Sequence, residues 1–153
     1  MARLEDIPEP TRTAVNTIPC PAFDTTHFVS GPPLAQRRVA IVSSAALIHR
    51  GDAPFPVGSG EYRAVPDAWN TADILVSHVS INFDRAGFQR DINVVHPVDR
   101  LRDLAAEGAI GSVAETHYTV MGSTDPASMI ASADGIAAAL HADKVNAVVL
   151  APV

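Results

Sequence analysis

The groups best suited to chemistry near neutral pH are His78, His96 and His117, with Asp84, Asp91, Asp99 and Asn93 among them. A histidine beside a carboxylate can exchange a proton around pH 7. Together His78, Asp84, Asp91, His96 and His117 offer the nitrogen and oxygen donors of a metal site, but their spacing fits no compact metal motif, so no metal is expected. Cys20 stands in Pro-Cys-Pro without a second cysteine or a cationic helix end to lower its pKa, and is expected to be inert. Gly58-Ser59-Gly60 neither follows a strand nor opens a helix, so it reads as a turn and not as a dinucleotide cradle. No Walker-type loop, nucleophile elbow or HExxH pair is present.

Each candidate also has a plainer reading. His78 and His117 could be core histidines satisfied by backbone, and Asp91 and Asn93 could shape a turn through Asx hydrogen bonds. Asp99 falls in the first turn of an expected helix, where a carboxylate complements the macrodipole.

The elements that must position these residues are legible from apolar patterning. Short, β-branched runs at Arg38–Ser43, Ala72–Ser77, Val113–Tyr118 and Val145–Leu150 read as strands of a parallel sheet, the last as a buried central one. Pro97 opens a helix over Val98–Glu107 that Gly108 stops. Asp125-Pro126 opens a second over Ala127–His141, with Met129, Ile130, Ala133, Ile136, Ala137 and Leu140 as its buried stripe. Strands alternating with helices predict one layered α/β domain with a mostly parallel sheet, residues 37–153. Residues 1–36 hold six of the twelve prolines and read as an extended arm on the domain or a neighbouring subunit, since Ile18, Phe23, Phe28 and Val29 are unusual on a free tail. In open parallel sheets ligands gather at the carboxyl ends of the strands. Ser77-His78, Asp91 to His96 and His117-Tyr118 all follow or end strands.

A chain of 153 residues with 47% apolar residues can bury a full core. The net charge of −6, with scattered Lys and Arg, argues against nucleic-acid or anionic-membrane partners. The first residues show no secretory pattern, no apolar run has spanning length, and a lone cysteine makes no internal disulfide, so a cytoplasmic setting is expected.

Taken in order, RVAIVSSAALIHRGDAPFP, GSGEYRAVP, ILVSHVSINFD and RDINVVHPVDRLRDLAAEGAIGSVAETHYTVMG resemble the selenoprotein B family of glycine, sarcosine, betaine and D-proline reductases. The likeness runs from Arg38 to Val153. It implies reductive C–N cleavage: an amine substrate, held in the amino-acid reductases as a Schiff base on a pyruvoyl group of a partner subunit, loses its amine when a selenolate or thiolate attacks the α-carbon. The family places that nucleophile in a U-x-x-C or C-x-x-C loop after a strand ending in Pro-Val, which here is VVLAPV at the last residue. The resemblance therefore implies a substrate-binding portion without its own redox centre or cofactor. A Sec or Cys is expected after Val153, or on a partner subunit. Carried over by position, it suggests His78, Asp84 and His117 as catalytic, and Ser77, Asp91, Asn93 and Tyr118 as substrate-binding. The trio is expected to converge at the carboxyl edge of the sheet. A homo-oligomer is expected, with the arm contributing. Two other readings stand beside this one: a metal-dependent or acid–base lyase or hydrolase using His78, His117 and the aspartates, and an assembly subunit without chemistry.

Overall fold

The computed structural model describes residues 3–17, 22, 24, 28–80 and 85–153. Asp84, Ile18, Cys20 and Phe23 lie outside these residues. In the N-terminal stretch, α1 (Thr11–Asn16) forms one helical turn and a half, started by the Glu9 carboxylate, which accepts from the Thr13 N–H and hydroxyl. Phe28 and Val29 are exposed.

The domain is built on β1 (Arg38–Ser43), a six-residue run with four buried positions. The chain then turns through Ala46, whose φ of 54° lies in the left-handed region, into β2 (Leu47–His49). After β3 (Tyr62–Pro66) and β4 (Ile74–Val76) come two helices, α2 (Ala86–Arg90) and α3 (Val98–Ala106). The remaining elements are β5 (Ser112–Val113), β6 (Thr116–Val120), α4 (Ile130–Ala142) and β7 (Ala147–Ala151).

The main sheet is mostly parallel, as expected. β1 pairs in parallel with β5 and β6 along one side and with β7 along the other, and β3 adds an antiparallel edge to β6. Helices flank the sheet, which makes the fold α/β. Val39 and Ile41 on one face meet Val98, Leu101 and Ile110 from α3 and its following turn. Burying each such side chain contributes about 1.5–3 kcal/mol. Gly108, at φ 74°, ends α3 as its position predicts. Arg38 pairs with Asp143 at 2.6 Å and ties the start of β1 to the end of α4.

Four expectations need correction. The Ala72–Ser77 run is not a strand of the parallel sheet: its core, β4, pairs antiparallel with β2 in a separate two-stranded sheet. A short apolar run does not encode its partner, and here Ser77 N–H to Ala46 O fastens it beside the β1–β2 turn. The third strand is broken at Ala114-Glu115 into β5 and β6, and it extends to Val120. β7 is an edge strand, with Val148 and Leu150 exposed, because its only partner among the described residues is β1. The Asp125-Pro126 start gives a 3-10 turn over Pro126–Met129 before α4 begins, and Ile130 faces solvent, so the buried face narrows to Ser132 and Ile136. β3 had no counterpart in the sequence reading.

Candidate functional site

His117 is the second residue of β6 and is fully buried. Its Nδ1 accepts the Ile41 N–H at 3.1 Å, so in the neutral ring Nε2 carries the proton. That proton faces Asp67 Oδ1 at 3.5 Å, the outer limit of hydrogen-bonding distance. Asp67 is held by Arg102, from Nη2 at 3.0 Å to the carboxylate and also to the Asp67 carbonyl. Arg102 reaches Asp99 at 2.8 Å, and Asp99 is bracketed by the Asn93 side chain, which accepts its N–H and donates to its carboxylate. Asp91 caps the turn that holds Asn93, its carboxylate accepting from the Asn93 N–H and side-chain amide. A continuous polar chain thus runs from the middle of the sheet out to Asp91. His96, also buried, meets the His117 ring edge-on at 5.2 Å between centroids. Burial is the main force lowering the pKa of both imidazoles, and it brings His96 to about 4, aided by His117 and Arg102. Both rings are neutral at pH 7.

The outer end of this chain opens into a cleft of about 480 Å³ between β4 and α2. Its floor includes Ile74, Val76, Phe88 and Ile92, and Arg90, Asp91, Asn93 and Asp99 supply charge and polarity. Asp91 has a carboxylate pKa lowered chiefly by Asn93.

His78 occupies a second locus, at the carboxyl end of the sheet. It is buried, its Nδ1 accepts the Ser80 N–H, and Arg85 grips its carbonyl. Burial and the Arg85 charge lower its pKa, in that order. The ring lies against the turn after β6, where a Cβ on Gly122 would stand 3.0 Å from His78 Nε2 and 2.9 Å from Ser44 O. Only glycine lets the imidazole and the turn approach this closely. Gly122 N–H donates to Ser44 O, and the Ser44 hydroxyl accepts the Val153 N–H at 2.8 Å. His78, Gly122, Ser44 and Val153 therefore form one strip across the ends of β6, β1 and β7. Val153 packs against the buried cluster of Ala45, Leu47, Val65, Ile74 and Val95, as do Val76, Phe88 and Ile92 of the cleft floor.

Of the expected trio, Asp84 lies outside the described residues; the contacts of His117 include Ile41, Asp67 and His96, and those of His78 include Ser80, Arg85 and the Gly122 turn. Ser77 is spent on structure, since its Oγ accepts the Phe55 N–H at 2.9 Å. Tyr118 is buried on the sheet face opposite His117, as strand alternation requires, and packs on Tyr62. Asp91 and Asn93 do share a cleft. Asp67, Arg102 and Gly122 are the residues sequence reasoning passed over or left without a role. Asp67 and Arg102 are 35 positions apart, and no local pattern joins them.

The glycine/sarcosine/betaine reductase selenoprotein B family matches residues 64–153. The chain is 31% identical over 120 residues to D-proline reductase subunit gamma of Acetoanaerobium sticklandii, covering 76% of this chain and 49% of that protein. It is 30% identical over 146 residues to glycine reductase complex component B subunit gamma of Carboxydothermus hydrogenoformans, covering 87% of this chain and 32% of the relative. The chain belongs to the selenoprotein B family. It spans about half and about a third of these relatives' lengths, and no solved structure matches it. The strip of His78, Gly122, Ser44 and Val153, like the cleft residues Asp91 and Asn93, lies within the span that selenoprotein B matches, apart from Ser44. No helix among the described residues is long and apolar enough to cross a membrane.

Proposed function

We propose that this chain is the substrate-facing portion of an amino-acid reductase complex, with the carboxyl-edge strip as its reactive end and the Asp91–Asn93 cleft as its substrate entrance. The observation that carries this reading is His78, held neutral and buried against Gly122 in the strip that ends at Val153. Its Nδ1 accepts the Ser80 N–H, so the neutral ring carries its proton on Nε2, at the Gly122 turn. There it can donate a hydrogen bond to a thiolate or selenolate and, once Nδ1 is protonated, hand a proton to a departing amine. A selenolate or thiolate brought to this end, by a segment after Val153 or by a partner subunit, would supply the nucleophile that displaces the amine. Asp84, close to His78 in the sequence, is proposed as its carboxylate partner. His117 takes a different role from the one expected: with Asp67 and Arg102 it fixes Asp99 and Asn93, so it positions the cleft wall and does not touch substrate. The complex is proposed to include self-association as well as a redox-bearing partner, in a cytoplasmic setting.

A metal-dependent reaction fits these residues poorly. His117 presents an N–H, not a lone pair, toward Asp67, and Arg102 already neutralises that carboxylate. The assembly-subunit reading is separated from the proposed one by ligand binding. NMR titration of the full chain with glycine, sarcosine, betaine and D-proline should shift the His78 and Asn93 side-chain resonances with at least one of them. No shift with any of the four would leave only the assembly role.

A further inference from the structure

The face of the sheet under α4 is incompletely covered. α4 is apolar nearly all round, IASADGIAAALHA, yet buries only Ser132 and Ile136, and such a helix is ordinarily enclosed on more than one side. Between it and the sheet runs a groove of about 370 Å³, lined by Val42, Val120, Met129, Leu140, Val148 and Leu150 among others. The groove opens outward over β7, where Val148 is 41% and Leu150 71% exposed, while Ala147, Val149 and Ala151 pack toward α3.

The two edges of the main sheet are guarded very differently. The β3 edge carries Arg63 and ends in Pro66, the usual devices against strand addition. β7, Ala-Val-Val-Leu-Ala, carries no charge and no proline within its five residues. Ala151 O accepts the Ser44 N–H, so alternation along the strand turns the backbone of Ala147, Val149 and Ala151 toward β1 and the amides of Val148 and Leu150 outward.

We infer that β7 is a self-pairing edge: two copies of this chain join antiparallel through β7, about a two-fold axis at Val149, into one continuous sheet. An isologous interface needs a surface that complements itself, and the strand is palindromic in side-chain type about Val149. In that register Val148 of one copy lies opposite Leu150 of the other, on the groove face. Ala147 lies opposite Ala151. The exposed apolar pair on each strand is thereby covered by its own counterpart, and the two grooves merge under the two α4 helices. The absence of charge along the seam lets two chains of net charge −6 approach there without local repulsion.

This inference rests on the proposed self-association and names its surface. The full chain is examined by sedimentation equilibrium from low micromolar upward, alongside Leu150→Asp, a control Val57→Asp in an exposed loop, and deletion of residues 1–36. A dimer is expected, weakened at least ~100-fold by Leu150→Asp and unchanged by Val57→Asp. In a Cys20→Ser background, Val149→Cys should oxidise to a covalent dimer, because the Cα atoms of a directly opposed, non-hydrogen-bonded pair stand about 4.5 Å apart, within disulfide reach. Circular dichroism checks that Leu150→Asp remains folded. A dimer that resists Leu150→Asp but falls apart without residues 1–36 overturns the β7 surface and leaves self-association standing. A monomer at all concentrations up to ~100 μM overturns both. A dimer sensitive to Leu150→Asp in which Val149→Cys does not cross-link overturns the two-fold register.

Discussion

The adjacent residues His117 and Tyr118 point to opposite faces of one strand, and those faces are built on different principles. On the His117 side, α3 seals the sheet with Val98 and Leu101, and a polar chain through Asp67, Arg102, Asp99 and Asn93 leads from the buried imidazoles to the cleft. The carboxylates, amide and guanidinium there are bonded to one another, while His96 Nδ1 and His117 Nε2 stay buried with no close hydrogen-bond partner among the described residues. On the Tyr118 side the contacts are apolar and shallow, with small clusters of alanine and valine under α4 and an open groove over β7. The first face holds a geometry; the second is shaped to receive something.

The sharpest way to break this contrast is at His117. His117→Ala should cost about 3–4 kcal/mol, since it opens a cavity and strips the buried Ile41 N–H of its acceptor. Leu140→Ala, on the groove side and only partly buried, should cost about 1 kcal/mol. Urea denaturation of both variants measures the difference, and equal losses would dissolve the distinction between the faces.

Acid should unpick the same face. His96 and His117 have pKa values lowered in the folded protein, so the unfolded chain binds more protons once the pH falls below the ordinary histidine value of about 6.5. Their contribution is present above that pH and is lost as pH falls toward about 4, the value for His96. The charged groups acting on the pair are Asp67, Asp99, Asp143 and Arg102. Stability measured between pH 7 and 4 should fall by on the order of 2–3 kcal/mol from these groups. His96→Leu should flatten the slope. An unchanged slope would place the acid sensitivity elsewhere.

A smaller effect is expected at Gly122. Gly122→Ala forces a methyl group against Ser44 O and His78 Nε2, costing about 1–2 kcal/mol and shifting the His78 ring resonances. If those resonances stay in place, the close packing of the strip is wrong. The smallest expected change is Leu150→Ser, which should leave the stability of the isolated fold within about 0.5 kcal/mol because the side chain is already exposed. A large loss there would mean that the groove face is structural after all.

The sequence announces β1, α3 and the close of α3 at Gly108 almost residue for residue, because each is written in local chemistry: β-branched runs, a proline at the start, a glycine at the stop. It conceals what depends on distant partners. β4 reads as a parallel strand, since nothing in Ile74–Val76 reveals that Leu47–His49 will meet it first. β7 reads as central because a pure apolar run looks the same at an edge. At the site, His78 and His117 were recognisable as unusual residues, and Asp91 and Asn93 as neighbours. Their sorting into two loci was not, because it depends on Asp67 and Arg102 meeting across 35 residues and on a glycine at position 122.

The central claim is that the strip of His78, Gly122 and Ser44 is the reactive end of a reductase portion. Its most direct measurement is dithiol-dependent amine release from glycine, sarcosine, betaine and D-proline. The protein assayed is this chain continued past Val153 by a Cys-bearing segment, with the family's pyruvoyl partner subunit present. Release from at least one substrate is expected, with a fall of about 10²–10⁴-fold in His78→Gln, the range for loss of a positioned acid or base. The 153-residue chain without that segment should release none. Undiminished release by His78→Gln, or none from any of the four substrates, would contradict the account.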